Sequence, residues 1–327
     1  MQNIKLLTSA DIKDLISMEE AIEVMKMAFG DLYLGKYRMP VRTVTDLGDN
    51  ELSLFYKPSF MPADDRIGIK LLSQSKGKPL QGNPAIQGIM ILINSETNSI
   101  IGLLDGTYLT ALRTGAASGI ATRLLSRSES SVLALFGAGA QGYTQFSAVC
   151  CERAIKRAYI SDLDSETAER FIDFFKEKTE IELVHATDLS CLKEADIICT
   201  ATPSGKPLFP LDMLKKGVHI NAVGSYNPKM QELPDDLFSV ASLFVDQKDS
   251  CFSESGDIIV PMKKGTFKPK NYKGEIGGLI SSKIIGRVSP DEITVFKSVG
   301  LAIQDLAMAN FAYTKACRGN IGQDIKI

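Results

Sequence analysis

Apolar and polar positions alternate along this chain in two regimes. Over residues 18–34 apolar residues recur at helical spacing and the run ends at Gly35, which predicts a helix. Short segments of strand character follow: VRTVTDL (41–47), ELSLFY (51–56), IGIKLLSQ (67–74), QGIMILINS (87–95) and IIGLLDG (100–106). Turn residues at 48–50 and 95–98 separate them, so this part predicts a mostly antiparallel sheet. The second regime opens with SVLALF (131–136), short, apolar and bounded by turn residues, which predicts a buried strand. Residues 141–153 then carry a helix-like pattern without proline. Further apolar runs, RAYI (157–160), IELVH (181–185), DIICT (196–200), HINAV (219–223) and SLFVD (242–246), alternate with segments able to hold helices or turns. That spacing predicts a doubly wound sheet over residues 118–298. The predicted fold class is therefore α/β: a Rossmann-type doubly wound domain plus a mostly antiparallel α+β domain.

Between the first parallel strand and its helix, GAGAQG (137–142) spaces its glycines G-x-G-x-x-G. The motif means little alone; its strand–turn–helix setting gives it weight. Gly137 permits the tight turn, Gly139 lets the backbone approach a pyrophosphate, and Gly142 lets the helix pack close to the strand. The helix N-terminus offers free N–H groups to phosphate. Asp162 follows Gly142 by 20 residues, where an acid meets the adenosine ribose. Its carboxylate would accept from both ribose hydroxyls and repel a 2′-phosphate, and SDLDSETAE (161–169) holds no arginine, so NAD is favoured over NADP. Either Asp162 or Asp164 can instead cap the helix expected at 165–178; we assign the ribose to Asp162 and the cap to Asp164. The loop ATPSGKPLFP (201–210) leaves the carboxyl end of a strand, where such folds bind ligand.

Composition narrows the function classes. The chain has 327 residues, 44% hydrophobic and 23% charged, a globular balance long enough for two domains. Its net charge of −2 and lack of a long basic run give nucleic acid no footprint. No apolar run approaches the ~20 residues of a membrane helix, and MQNIKLLTSADIKDL lacks the apolar region of a secretory signal. Cysteines at 150, 151, 191, 199, 251 and 317 form no C-x-x-C pair, and the two histidines, His185 and His219, lie in apolar runs. We expect no metal site, a cytoplasmic location, structural histidines, and cysteines acting as buried small apolar residues. Basic residues are oddly placed in the first part. Lys70 interrupts an apolar strand, Arg113 follows YLTAL (108–112), and Arg42 stands two residues after Pro40. Spacing leaves two readings open: each faces solvent, or the three converge on an anion.

GIKLL (68–72), GNPAIQG (82–88), LLDGTYLTALRTGAASGIAT (103–122), GAGAQG (137–142), INAVGS (220–225) and FKSVGLAIQDL (296–306) resemble the ornithine cyclodeaminase and mu-crystallin family over nearly the whole chain. The family holds ornithine cyclodeaminases, alanine dehydrogenases, ketimine reductases and pyrroline-2-carboxylate reductases, which use a nicotinamide dinucleotide on a small α-amino or α-imino acid. The resemblance implies a substrate-binding and dimerisation domain at 1–117, completed by 299–327, an NAD(P)-binding domain at 118–298, and a homodimer. It places Arg42, Lys70 and Arg113 at the substrate carboxylate, Lys70 and Tyr226 in catalysis, and Thr114, Gly137, Gly139, Ala140, Gln141, Gly142, Asp162, Thr202 and Ser298 at the cofactor. Arginine grips a carboxylate with two parallel hydrogen bonds. An ammonium beside two guanidiniums gives up its proton more readily, so Lys70 can donate to, or accept from, the substrate nitrogen. Ser298 and Asp305 read equally well as a helix cap and a structural hydrogen bond.

Ornithine cyclodeaminases carry an aspartate where this chain has Tyr226, in AVGSYNPKMQEL (222–233), and an acid where it has Phe55, three residues before Pro58. Ornithine's distal ammonium then loses two anionic partners, and burying it unpaired is costly. Glu51 and Glu232 are further candidates and read as exposed. The expected function is an NAD(P)-dependent reductase or dehydrogenase of small imino or amino acids, with reduction of Δ1-pyrroline-2-carboxylate to proline the preferred example. Alanine dehydrogenase is close behind, ornithine cyclodeaminase is the main alternative, and a mu-crystallin-like binding protein is the non-enzymatic one.

Overall fold

The structure is a computed structural model that describes residues 3–40, 42–48, 52–75 and 86–326; Glu51 and residues 82–85 of GNPAIQG lie outside them. The chain divides into two compact units, Met1–Arg113 with Leu301–Ile327, and Thr114–Gly300.

The first unit opens with β1 (Asn3–Leu7), α1 (Ser9–Leu15) and α2 (Met18–Tyr33). Thr8 and Ser17 start the two helices with capping boxes, each hydroxyl accepting from a backbone N–H while Asp11 or Glu20 accepts in return. Then come β2 (Thr43–Leu47), β3 (Leu52–Met61), β4 (Arg66–Ser75), β5 (Ile86–Asn94) and β6 (Ser99–Asp105), followed by α3 (Gly106–Leu125), within which the division at Arg113 falls. The second unit continues with β7 (Val132–Phe136), α4 (Ala140–Glu152), β8 (Arg157–Ser161), α5 (Ser165–Phe175), β9 (Glu182–His185), β10 (Ile197–Thr200), β11 (His219–Ala222) and β12 (Ser242–Val245). It ends with α6 (Lys248–Glu254), α7 (Gly256–Lys264), β13 (Tyr272–Glu275), α8 (Ile276–Ile280) and β14 (Thr294–Lys297). The chain then returns to the first unit with α9 (Ala302–Gly319) and β15 (Gln323–Lys326).

The first unit's sheet runs β15-β1-β6-β5-β4-β3-β2, antiparallel apart from the β1–β6 pair. The second unit's sheet, β13-β12-β14-β11-β10-β7-β8-β9, is parallel throughout. Its central strands IICT, HINA, SLFV and TVFK are buried at every position, which is why they read as continuous runs rather than alternating ones. The fold is α/β with a Rossmann-type parallel sheet.

Strands β1, β13, β14 and β15 fall outside the strands predicted from the sequence, and two further elements depart from that prediction. Strand β3 runs past residue 56 through Lys57 and Pro58 to Met61. Phe60 exchanges both backbone bonds with Arg38, so Pro58, two residues earlier, turns its missing N–H to that same side and spares the ladder with β4. Arg113, placed by the sequence only as following YLTAL, lies within α3. That helix is buried nearly all round, so it has no single apolar stripe for a periodicity reading to find.

Candidate active site

In the first unit, Lys57 and Lys70 stand directly opposite each other in the β3–β4 ladder, so both side chains leave the same face of the sheet. Helix α9 packs on β3, β4 and β5. Gly68 shares the face of Lys70. A Cβ there would lie 2.4 Å from Met90 Cε and 2.8 Å from Leu306 Cδ1, so the glycine lets α9 come close. Ser59 Oγ donates to the Ala302 carbonyl (3.1 Å) and fixes the start of the helix.

The first turn of α9 then presents Asp305 to three cations. Lys70 Nζ is 2.7 Å and Arg113 Nε 2.9 Å from Asp305 Oδ1, and Lys57 Nζ is 3.6 Å from Oδ2. Lys70 also donates to Thr110 Oγ1 (3.0 Å), which donates in turn to the Gly106 carbonyl (2.5 Å). Arg113 Nη1 donates to Gln304 Oε1 (3.3 Å). All four charged groups are buried. Among the described residues one carboxylate faces three cations, a balance that suits an anion. Burial drives the Lys70 ammonium well below its ordinary pKa; Asp305 opposes the drop, and Lys57 and Arg113 add to it. Burial alone would raise the Asp305 carboxyl, but Lys70, Arg113 and Lys57 hold it far below the usual carboxylate range. An ammonium has three donors. Two of Lys70's are engaged, and the third has no partner among the described residues.

The structure thus brings Lys70 and Arg113 together on Asp305. Arg42 is not among the cations placed on that carboxylate; its guanidinium lies 5.6 Å over the Phe55 ring, which shares the face of Lys57. Lys57 is a member the sequence reading missed, although it carries the same signal as Lys70, a lysine inside an apolar strand.

In the second unit the glycine turn follows β7. Gly137 has φ 98°, a left-handed conformation that favours glycine. A Cβ on Gly142 would lie 2.4 Å from the Gly137 carbonyl oxygen, so this glycine seats α4 against the turn. Gly139 faces open space and caps α4 with no side chain in the way. Ala140 is the exposed first residue of that helix. Gln141 Oε1 is buried without a partner among the described residues, an acceptor suited to a ribose hydroxyl. Asp162 follows β8 directly, and its Oδ2 accepts from the Ala138 N–H of the turn (2.8 Å). Asp164 caps α5. This turn fits a dinucleotide pyrophosphate and ribose. Thr114 is buried, its carbonyl accepting from Gln145 Nε2 (3.2 Å).

Thr202, Tyr226 and Ser298 all follow carboxyl ends of parallel strands, β10, β11 and β14. Ser298 Oγ donates to Asp246 Oδ2 (2.7 Å), which also accepts from Val299 N (2.9 Å) and Gly300 N (3.0 Å). Tyr226 is half-buried against the apolar core of the unit. Glu232 corrects the sequence reading: it is fully buried, because donors of two loops surround its carboxylate. His219 is structural, held between Thr294 Oγ1 (3.0 Å) and Asn221 Oδ1 (3.1 Å), with burial lowering its pKa to about 3. Three of the cysteines, Cys191, Cys199 and Cys251, are buried; Cys151 and Cys317 are exposed and Cys150 is half-buried, a second correction.

A parallel sheet with a glycine turn, joined to an antiparallel unit with a buried cation cluster, defines a two-unit α/β protein of dinucleotide-binding type. The chain belongs to the ornithine cyclodeaminase/mu-crystallin family, whose family model matches residues 2–320. It is 34% identical over 323 residues to a Δ1-pyrroline-2-carboxylate reductase of Bacillus cereus, covering 98% of this chain and 99% of that one. It is similar to the solved structure of Thermococcus litoralis Δ1-pyrroline-2-carboxylate reductase in complex with NADH and L-proline. That match has a TM-score of 0.95 and 34% identity, and covers 98% of this chain and 100% of the other. An archaeal alanine dehydrogenase dimer with bound NAD matches at a TM-score of 0.93 and 33% identity, covering 100% of both chains.

Proposed function

We propose that the protein is an NAD-dependent reductase of small α-imino acids, with Δ1-pyrroline-2-carboxylate, reduced to proline, as its preferred substrate. The observation that carries this reading is the buried cluster in which Lys57, Lys70 and Arg113 share the carboxylate of Asp305. Its excess positive charge suits a substrate carboxylate, and the spare Lys70 proton suits an imine nitrogen. Relatives named for this reaction, and the one seen with NADH and L-proline, support it.

With its pyrophosphate held at the glycine turn, a bound reduced nicotinamide dinucleotide would supply a hydride. Arg113, with Arg42, binds the substrate carboxylate, which orients the C=N carbon. Lys70 donates its proton to the nitrogen, so that C=N gains one hydride and one proton. Asp305 keeps that proton available against the burial that disfavours it. Asp162 holds the adenosine ribose, and Thr114, Thr202 and Ser298 line the cofactor. Tyr226 supplies a neutral wall for an imino-acid ring.

The protein works as a homodimer through the outer face of the antiparallel sheet. Leu47, Tyr56, Leu71 and Ile89 share that face by register and stand exposed, an apolar stripe suited to a partner, and the alanine dehydrogenase relative is a dimer. None of the six cysteines is in a disulfide, which suits the reducing cytosol, and among the described residues no helix is long and apolar enough to cross a membrane.

Steady-state NADH consumption tests the reading with Δ1-pyrroline-2-carboxylate and with pyruvate plus ammonia, and ammonia release from ornithine with catalytic NAD tests the cyclodeaminase alternative. We expect the cyclic imino acid to give the highest kcat/KM. Faster turnover of pyruvate plus ammonia makes it an alanine dehydrogenase, and no turnover with any substrate makes it a binding protein.

A further inference from the structure

The buried carboxylate of Glu232 gathers donors from two separate loops. Its Oε1 accepts from Thr202 N (2.7 Å) and Thr202 Oγ1 (2.9 Å). Its Oε2 accepts from Thr200 Oγ1 (2.9 Å), Gly224 N (2.8 Å) and Ser225 N (3.2 Å). Thr200 and Thr202 belong to the end of β10 and the loop after it; Gly224 and Ser225 follow β11 and directly precede Tyr226. The chain is built to admit this carboxylate: a Cβ on Gly224 would lie 2.3 Å from Glu232 Oε1 and 2.3 Å from the Thr202 carbonyl.

Glu232 is itself anchored. Its N–H and that of Leu233 donate to Asp257 Oδ1 (2.7 and 2.9 Å), and Asp257 Oδ2 lies 3.0 Å from Lys297 Nζ at the end of β14, both groups fully buried. A buried line of charge thus runs across the carboxyl ends of three parallel strands, the edge at which such sheets bind ligand.

We propose that Glu232 is a positioning residue for the nicotinamide half of the cofactor: it ties the Thr202 loop to the Tyr226 loop and so fixes where the hydride-donating ring sits. This rests on the reading that the glycine turn holds a nicotinamide dinucleotide. The glycine turn and Asp162 serve the adenosine half and share none of these bonds, so the two halves separate experimentally. A glutamine of the same shape cannot replace the acid. The carboxylate only accepts, whereas the amide would aim an NH2 group at the N–H donors of one loop or the other.

The test compares wild type with Glu232→Gln and the milder Thr202→Val, measuring affinity for NADH and for ADP-ribose, which lacks the nicotinamide, together with kcat and KM for the imino acid. We expect ADP-ribose affinity to hold while NADH affinity or kcat falls by about tenfold to a hundredfold in Glu232→Gln, with a smaller loss of the same pattern in Thr202→Val. Parallel weakening of both ligands would show a general role in the fold and overturn the proposal, as would unchanged kcat and NADH affinity. If Glu232→Gln does not fold, Thr202→Val carries the same split, and its absence overturns the idea. Wild-type protein that binds neither ligand overturns the dinucleotide reading itself, a result seen before any variant is made.

Discussion

Lys70 Nζ lies 2.7 Å from Asp305 Oδ1, with the two side chains 1% and 0% exposed. A lysine so buried would shed its proton to escape the low dielectric; the aspartate is the group in this cluster that resists. The pair therefore sets how long Lys70 remains a proton donor as pH rises.

If Lys70 supplies the imine proton, kcat for reduction falls as pH rises through its depressed pKa, below the ordinary 10.5. Asp305→Asn removes the group that raises that pKa, so the fall moves to lower pH. The stability effect has the opposite slope. The unfolded chain holds the Lys70 proton more tightly than the fold does, so this group's contribution is complete above 10.5 and is lost as pH falls toward the depressed value. A kcat profile that is flat up to the ordinary lysine range, or one that Asp305→Asn leaves in place, refutes the assignment.

Arg113 joins the cluster from α3 and contacts Asp305 and Gln304 of α9. Arg113→Ala should raise KM for the imino acid or abolish activity, with a loss of about 2–5 kcal/mol in kcat/KM, while NADH affinity stays the same. Equal losses of cofactor and substrate binding, measured by titration, would show that the guanidinium serves the fold instead.

The reach of sequence reasoning follows burial. The strands VLALF, IICT and HINA are legible because a parallel sheet hides both faces, and only apolar runs tolerate that. Lys70 is legible as the break in such a run. Its partners are not. Lys57 meets it through the register of β3 on β4, which a missed strand extension past Tyr56 conceals. Asp305 meets Arg113 across 192 positions, a contact no local pattern encodes. Glu232 lies in the turn-like stretch KMQELPDD (229–236), where an acid ordinarily faces water; its burial depends on backbone N–H groups that become donors only once two loops are folded. The strand β14, TVFK, is short, and its Lys297 hides its burial.

If Asp162 meets the adenosine ribose, as proposed, it carries the choice of cofactor. Its Oδ2 already accepts from the Ala138 N–H, which locks the carboxylate beside the glycine turn, where a 2′-phosphate would meet a fixed negative charge. Nearby Arg170 is already engaged with Asp164 and Glu166, each at 3.5 Å. NADH should therefore give the higher kcat/KM, and Asp162→Ser combined with Leu163→Arg should shift preference toward NADPH. Wild-type protein that prefers NADPH removes Asp162 from the ribose.

On the proposed reading, Tyr226 decides between reduction and cyclodeamination. Cyclodeamination of ornithine must hold a side-chain ammonium and then handle its protons beside the reacting imine. A carboxylate does both, attracting the cation and exchanging protons; a phenol is neutral at working pH and supplies no charge. Tyr226 takes the position where resemblance to the cyclodeaminases implies an aspartate, and Phe55 takes that of a second acid, its ring lying under the Arg42 guanidinium rather than offering an anion. Glu232 does not fill the gap, since its oxygens are occupied by the Thr200, Thr202, Gly224 and Ser225 donors. In the first unit, Asp305 is the buried carboxylate among the described residues, and its cations already outnumber it. Incubation with ornithine and catalytic NAD should thus yield little ammonia or proline, while Δ1-pyrroline-2-carboxylate is reduced. Tyr226→Asp should gain ornithine turnover and lose rate on the cyclic imino acid, because the new charge favours a cation beside the ring position. Ammonia release by the wild type at a rate matching imine reduction would make the protein a cyclodeaminase and free Tyr226 of this role.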